Sequence, residues 1–529
     1  MKFILLKNNM VAPQKAISQC YLEIDNWNDF SFVTAFSLSL HDENGIYHEI
    51  GNVRIGFSGQ RTSQSTHTTI GDSFTTLESK KEQFFSLGMS SDYYRNLAEL
   101  SEEVRNEILT SLQDVVFDKK LIDYAIKEDV FKVSLLRDTS MTAIEGKYQR
   151  VLSGLAELTP YDFEFLPPTN SLMKDSISFH VKDFSKPSTN IHAIIGKNGT
   201  GKTTLFNQMI DSIVDHENDS SGYFVDLNSF SQKRIGSNYF SSLISVSFSA
   251  FDTHIPPRDQ DDPEQGTCYF YVGLKDPENE GKLRDIKELR EDLFESIIDC
   301  LRTPKKSEQF LDVIESLDFD DNIALMDLRR LKTIYHNTQS NNSNIQEDSL
   351  RQLLRQAFDM HIPDMSSGHA VVLLSLFNLV ATVDEKSLVL IDEPESHLHP
   401  PLLSAYIRAL SKLLHNLNGV GIIATHSPVV LQEIPKSCVW KMLRSGGIVR
   451  ISRPSIETFG ENVGVLTREV FGLEVDKSGF TRLLSDEVDS GKSFDDIYID
   501  SFNKQLGNEG LILLKTLISN RDNSGASHD

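Results

Sequence analysis

Apolar and polar residues alternate through the first sixty positions as strands with one buried face require. The runs CYLEI, FVTAFSLSL and VRIGFSG are separated by turn-like DNWND and HDENG. From about Leu77 to Leu155 the period lengthens. YYRNLAELSEEVRNEILTSLQDVVF sets apolar residues three and four apart, so amphipathic helices are predicted there. Strand-like runs return at FEFLP, at SISFHV and at Asn190–Ile195, the last of which enters a glycine-rich loop. Helical spacing dominates from about Lys282 to Met360, broken by the polar stretch Asn337–Asp348, whose composition predicts a loop. The apolar run Ala370–Ala381 predicts a buried helix, and Ser387–Ser427 a compact strand–loop–strand block. The stripes VGVLTREVFG and GLILLKTLI predict C-terminal helices, and RDNSGASHD a disordered tail. No internal repeat and no extended heptad run is present in the sequence.

The glycine-rich loop carries the first chemistry. Gly196, Lys197, Asn198, Gly199, Thr200, Gly201, Lys202 and Thr203 fit G-x-x-x-x-G-K-[ST] at each fixed position, after a β-branched strand and before TTLFNQMIDSIV. The glycines let the backbone curl so that its N–H groups face phosphates, with the following helix N-terminus adding a positive end. Gly196, Asn198, Gly199, Gly201, Lys202, Thr203 and Thr204 are therefore the candidate nucleotide-binding residues, for ATP. Lys202 is expected to reach the β- and γ-phosphates, and Thr203 to ligate Mg²⁺. Downstream, the buried strand Leu388–Ile391 ends in Asp392 and Glu393. Asp392 is placed to hold Mg²⁺, and Glu393 to act on the attacking water as general base. A second apolar strand, IIATHS, ends in His426, a candidate reporter of the γ-phosphate. His397 and His399 form an H-x-H pair, but no spacing implies a third metal ligand, and a partner-facing loop is the simpler reading.

Composition narrows the setting. The chain has 529 residues with 76 acidic and 52 basic ones, a net charge of −24, so nucleic acid would need a local basic patch or a basic partner. Its four cysteines form no Cys-x-x-Cys pair, which argues against zinc and disulfides and for a reducing cytoplasm. The apolar start MKFILL stops at Lys7, and Ala370–Ala381 is too short to cross a bilayer, so no membrane is expected.

Gly196–Thr204, DEPESHLHP from Asp392 and ATHS from Ala424 together resemble the motor core of ABC-type ATPases, in the branch that holds the SMC, RecF and OLD proteins. The resemblance implies an α/β fold: a P-loop ATPase head of mixed and parallel sheet with inserted helical lobes. Ser366, Ser367 and Gly368, followed by His369, resemble the ABC signature, with histidine where glutamine or glutamate is commoner. In that family the signature caps the ATP of a second subunit, which implies a homodimer with sandwiched nucleotides. No glutamine follows the strand at Leu243–Ser249, which leaves the usual Q-loop residue unassigned. These grounds predict a division into six segments. Residues 1–76 are a β-rich part of the head and 77–158 a helical insertion. Residues 159–254 hold the P-loop, 255–365 a helical lobe, 366–455 the remaining motor motifs, and 456–529 the C-terminal helices.

FSLGMSSDYYRNL, SLLRDTS, VSFSAFDTH and ENVGVLTREVFG further resemble PtuA, the ATPase family of Septu-type and retron-associated antiphage systems. That resemblance implies an HNH endonuclease partner of the PtuB kind and, in retrons, a reverse transcriptase with its msDNA as sensor. It implies no nuclease activity for this chain, whose acids Asp495, Asp496 and Asp500 lack the Asp-x-Asp spacing of OLD-type nucleases. A RecF-like DNA-repair ATPase and a nucleotide-gated scaffold with little turnover stand as alternatives.

Overall fold

The computed structural model describes residues 1–525 apart from 8–9, 26–31, 63, 81, 138, 140, 142, 216–218, 229–232, 238, 251, 253, 280–281, 342–346, 363–365 and 476–478. The chain divides into two compact units, Met1–Thr159 with Asn416–Asn418, and Pro160–His415 with Gly419–Asp529.

In the first unit, strands β1 (Lys2–Leu6), β2 (Gln19–Ile24), β3 (Ala35–His41), β4 (Tyr47–Phe57), β5 (Ser73–Phe74) and β6 (Phe84–Gly88) form one sheet in the order β5-β1-β2-β3-β4-β6. The strand β6 corrects the helical expectation from Leu77 onward. FFSLG pairs antiparallel with β4, and helix begins only at Ser91, where Ser90 accepts the N–H of Tyr93. Residues 1–76 and 77–158 thus share one core, in which Phe3, Leu22, Phe36, Val53, Phe85, Tyr94, Ile108 and Phe131 are buried together.

Asp114 lies inside this core. Its Oδ1 accepts the N–H groups of Val116 and Phe117 at 2.9 and 3.1 Å, and its Oδ2 the Tyr94 hydroxyl at 3.1 Å. Burial nevertheless pushes its carboxyl up to about 7. An unfolded aspartate titrates near 3.9, so between about pH 4 and 7 the folded chain holds a proton that the unfolded chain has lost. This contribution to stability is complete below that window and is lost as pH rises through it. The denaturation midpoint of the first unit is expected to fall from pH 5 to pH 8, with Asp114→Asn removing that part of the slope. A variant with the wild-type slope would show that Asp114 does not titrate there.

The second unit is the α/β part. Strands β7 (Tyr161–Leu166), β8 (Ile177–Val181) and β10 (Tyr223–Asp226) form an antiparallel sheet in the order β10-β7-β8. The larger sheet comprises β9 (Ile191–Gly196), β11 (Ser242–Ser247), β12 (Cys268–Gly273), β15 (Leu388–Asp392), β16 (Val420–Thr425), β17 (Val439–Ser445) and β18 (Ile448–Ser452). Its order is β12-β11-β15-β16-β9-β17-β18, parallel except for the final hairpin; β13 (Lys275–Asp276) and β14 (Lys282–Leu283) form a separate ribbon. Phe163, Phe165, Phe179 and Phe224 share a core with Leu205, Phe206 and Met209 of the Lys202–Val214 helix and with Leu388, Leu390 and Ile422 of the parallel sheet. The helix after the glycine loop is thereby fixed by apolar burial.

Three expectations are corrected here. The block Ser387–Ser427 is strand–helix–strand, because Pro400–Asn416 is a helix of 17 residues. Parallel β15 and β16 need such a crossover, and proline fits a first helical turn, where its missing N–H has no partner to lose. The loop expected over 337–348 is helical at both ends, in Arg329–Asn341 and Glu347–His361, while 342–346 lie outside the described residues. The tail expected to be disordered continues the Asn508–Gly525 helix, and 526–529 lie outside the described residues. The run Ala370–Ala381 lies within the Ser367–Thr382 helix, whose Val372, Leu373, Leu376, Phe377 and Val380 are fully buried. All four cysteines are free and buried. Among the described residues, no helix is long and apolar enough to cross a membrane.

Candidate functional site

Register brings the candidate residues together. Asp392 sits opposite Ala424, and Thr425 opposite Ile195, so β15, β16 and β9 end side by side. A crevice at the carboxyl ends of parallel strands is where such sheets hold ligands. The loop after β9 is built for close approach. A side chain at Gly196 would stand 2.6 Å from the Met442 carbonyl, and Gly199 and Gly201 have φ of 77° and 100°, which favour glycine.

Lys202 is 4% exposed and folds back on the loop, donating to the Gly196 and Lys197 carbonyls at 3.0 and 3.2 Å. Its Nζ lies 3.5 Å from Glu393 Oε1. The Thr203 hydroxyl donates to Asp392 Oδ2 at 2.7 Å, across 189 residues of sequence. The other Asp392 oxygen, Oδ1, is buried with no hydrogen-bond partner. Burial raises the Asp392 carboxyl to about 6, with the neighbouring Glu393 charge adding to the rise and Thr203 and Lys202 opposing it. Hydroxyl and carboxylate oxygens side by side, one of them orphaned, are a donor set that suits Mg²⁺.

Glu393 has a φ of 49°, left-handed for a residue with a side chain, which costs about 1–2 kcal/mol. Its N–H donates to the Ala424 carbonyl at 2.9 Å, tying the strand end to β16. Strain of this kind collects at functional sites. His426 Nδ1 lies 3.7 Å from Glu393 Oε1 and 3.1 Å from Glu395 Oε1, aligned with neither for a hydrogen bond.

Two side chains that motif reading passed over belong to this cluster. Glu395 Oε1 accepts the Thr425 hydroxyl at 2.6 Å and the N–H groups of His426 and Ser427 at 2.5 and 3.1 Å, so it clamps the turn that carries His426. Asp252 lies beyond β11, where the sequence offered no glutamine. It lines a cavity of about 30 Å³ together with Asp392, accepts the His254 N–H at 3.0 Å, and faces Lys275 at 3.5 Å. The signal for Glu395 was its place in DEPES; nothing in the pattern marked Asp252.

Beside the glycine loop, Thr200, Gly201, Thr204 and Gln208 line a second cavity of about 290 Å³ with Leu172, Met173, Met442 and Arg444. Arg444 reaches across it to donate to the Gly199 carbonyl at 3.0 Å. Asn198 is exposed at the loop crest.

The Ser366–Gly368 segment opens the Ser367–Thr382 helix, with Ser366 as its cap and both serines exposed. Gly368 has a reason within its own chain: a side chain there would meet the His397 carbonyl at 2.5 Å. A charged replacement at 368 would therefore disturb this packing as well as any facing subunit, which makes Ser367 the cleaner position for testing an interface. Among the described residues, no group of three or more histidine, cysteine, aspartate or glutamate side chains could hold a metal ion.

Residues 274–432 match the family profile described as "AAA domain, putative AbiEii toxin, Type IV TA system". Protein ea59 of Escherichia phage lambda is 47% identical over 526 residues, which cover 99% of each chain. Similar solved structures include a nucleotide-free ATP-binding cassette from an ABC transporter, 14% identical with a TM-score of 0.29. The likeness covers 59% of this chain and 96% of that one. Another is cbiO1 from Clostridium perfringens, 17% identical with a TM-score of 0.28 over 60% of this chain and 95% of that one.

Proposed function

The chain belongs to the family of Protein ea59 of Escherichia phage lambda and carries an ATPase domain of the AAA/ABC type, and from that premise we propose that it is the nucleotide-driven component of a system directed against phage. The observation that carries the nucleotide half is the 2.7 Å contact of Thr203 with Asp392, with Lys202, Glu393 and His426 gathered around it. The description of the matched profile as a putative AbiEii toxin of a type IV TA system supports the other half.

In this reading Lys202 leaves the loop carbonyls for the β- and γ-phosphates of ATP, and the nucleoside enters the cavity at Leu172 and Arg444. Thr203 and Asp392 would hold Mg²⁺, which would supply positive charge to offset that of the phosphates. Glu393 orients the attacking water and takes its proton, while His426 senses the γ-phosphate. The exposed Ser366 and Ser367 present the helix N-terminus to the ATP of a second copy, and two such contacts close a homodimer. The effector is a second chain, an HNH endonuclease of the PtuB kind, with a reverse transcriptase and msDNA as sensor in a retron arrangement. The setting is the cytoplasm. Asp496, the centre of the acidic C-terminal cluster, is engaged otherwise, its Oδ2 accepting from the Ser493 N–H and hydroxyl.

Purified protein is expected to hydrolyse ATP with Mg²⁺ and to leave plasmid DNA and RNA intact. Adding the nuclease encoded beside it should give cleavage that depends on the nucleotide present. Turnover stimulated by DNA with no effector would favour the repair reading, and cleavage by this chain alone, lost in Asp496→Asn, the OLD-type one.

A further inference from the structure

The Pro400–Asn416 helix buries its leucines on one face. Pro401, Ala405, Arg408, Lys412 and His415, spaced alternately four and three apart, share the other. That face is one wall of a cavity of about 760 Å³, to which Ile191, Phe319, Glu433 and Phe459 also contribute. The helix is fixed against the start of β9, because Asn190 donates to the Ser411 carbonyl at 3.0 Å and accepts the Ser411 hydroxyl at 3.0 Å. Ile191 opens β9 and Gly196 ends it, so this wall stands about 16 Å along the strand from the glycine loop. The cavity shares no lining residue with the two beside the nucleotide site.

The lining has two kinds of group. Lys186, Arg408 and Lys412 bring positive charge against the single carboxylate of Glu433, in a chain whose net charge is −24. Arg408 lies 3.4 Å from Glu433, and Lys412 lies 2.9 Å from Asp312. Both cations are exposed, where such pairs contribute little and give way to a better anion. A phosphate offers Arg408 two acceptors side by side, which its planar fork matches. The second kind is aromatic: Phe319 and Phe459 are 53% and 41% exposed, so ring surface is open to a planar group. We propose that this cavity is a second ligand site, taking a small nucleotide whose phosphate meets Arg408 and Lys412 and whose base packs on the phenylalanines. Its volume is of the size that holds small molecules. A long nucleic-acid strand would run beyond these cations over a surface whose overall charge repels it. Binding here requires no hydrolysis at Glu393 and stands apart from the reading above.

The test titrates the full chain carrying Lys202→Ala, which disables the glycine loop, and follows the heat of binding. The probes are AMP, a 5′-phosphorylated dinucleotide of deoxyadenosine, inorganic phosphate and an oligo-dT strand of about 20 residues. AMP or the dinucleotide is expected to bind, with inorganic phosphate at least about tenfold weaker because it lacks a ring to stack. Adding Arg408→Ala with Lys412→Ala should weaken nucleotide binding at least about tenfold, through loss of the charge-assisted bonds. Adding Phe319→Ala with Phe459→Ala should weaken it by a similar factor while leaving inorganic phosphate unchanged. No binding of AMP or the dinucleotide would overturn the proposal, as would undiminished binding after loss of Arg408 and Lys412. Inorganic phosphate binding as tightly as AMP would remove the base from the site, and oligo-dT binding tighter than either nucleotide would replace it with a strand. Should the Arg408 and Lys412 variant misfold by circular dichroism, 8-azido-AMP crosslinked to the chain with its cavity unaltered gives the decision. Label in the peptides that hold Phe319 or Phe459 supports the site, and label at the glycine loop alone overturns it.

Discussion

Glu393→Gln is expected to bind ATP as the wild type does and to turn it over at least about 100-fold more slowly, the usual contribution of a positioned general base. The amide keeps the size of the carboxylate and its N–H bond to Ala424 is a backbone one, so β15 and β16 should remain tied. What disappears is the acceptor for the proton of the attacking water. Binding survives because the groups that would meet the phosphates lie on the glycine loop and its helix. Lys202→Ala is the complementary case, with ATP affinity falling below detection, since Lys202 is the buried cation of the loop. Equilibrium binding of a fluorescent ATP analogue and phosphate release together separate the two. Glu393→Gln turning over at the wild-type rate would remove Glu393 from the chemistry.

Glu395→Ala should have the next largest effect, although the residue would touch no phosphate. Its Oε1 receives three donors from Thr425, His426 and Ser427; its removal leaves the His426 N–H without that acceptor, while the Ser427 N–H keeps the Thr425 hydroxyl oxygen at 2.9 Å. A donor that loses its partner away from water costs about 1–3 kcal/mol, less where the site is half-exposed, so the turn is expected to relax rather than hold its shape. A displacement of His426 by about 1 Å would lower kcat about 100-fold while ATP affinity stays within a few-fold. Glu395→Gln retains an acceptor at the same place and should fall between Glu395→Ala and wild type. A wild-type kcat in Glu395→Ala would show that the turn is held by β16 alone. Thermal unfolding of each variant distinguishes loss of position from loss of fold.

The α/β arrangement of the second unit was legible because its signals are local. A β-branched run such as HAII, three glycines at fixed spacing and an apolar helix behind them admit few other conformations. The strand Leu388–Ile391 was legible for the same reason: four apolar residues bounded by polar ones make a strand buried on both faces. FFSLG was hidden within a helical stretch because its five residues are all buried and show no alternation, so only pairing with β4 reveals it. The Pro400–Asn416 helix was not distinguished within the Ser387–Ser427 block, although its two prolines are compatible with the start of a helix. Asn337 to Asn341 is polar enough to read as loop, yet continues a helix begun at Arg329.

The sequence by itself determined the identity and order of the candidate phosphate-handling motifs, the apolar strands that carry them and the class of fold those strands build. Only the tertiary structure decided which side chains those motifs meet. Thr203 reaches Asp392 across 189 residues, His369 reaches Asp320 across 49, and Glu395 reaches Thr425 across 30. Periodicity and turn chemistry act over a few residues, whereas these contacts arise where parallel strands end in register and where separate helices begin beside one another. Their geometry follows from packing of the whole sheet and its covering helices, which no local pattern specifies.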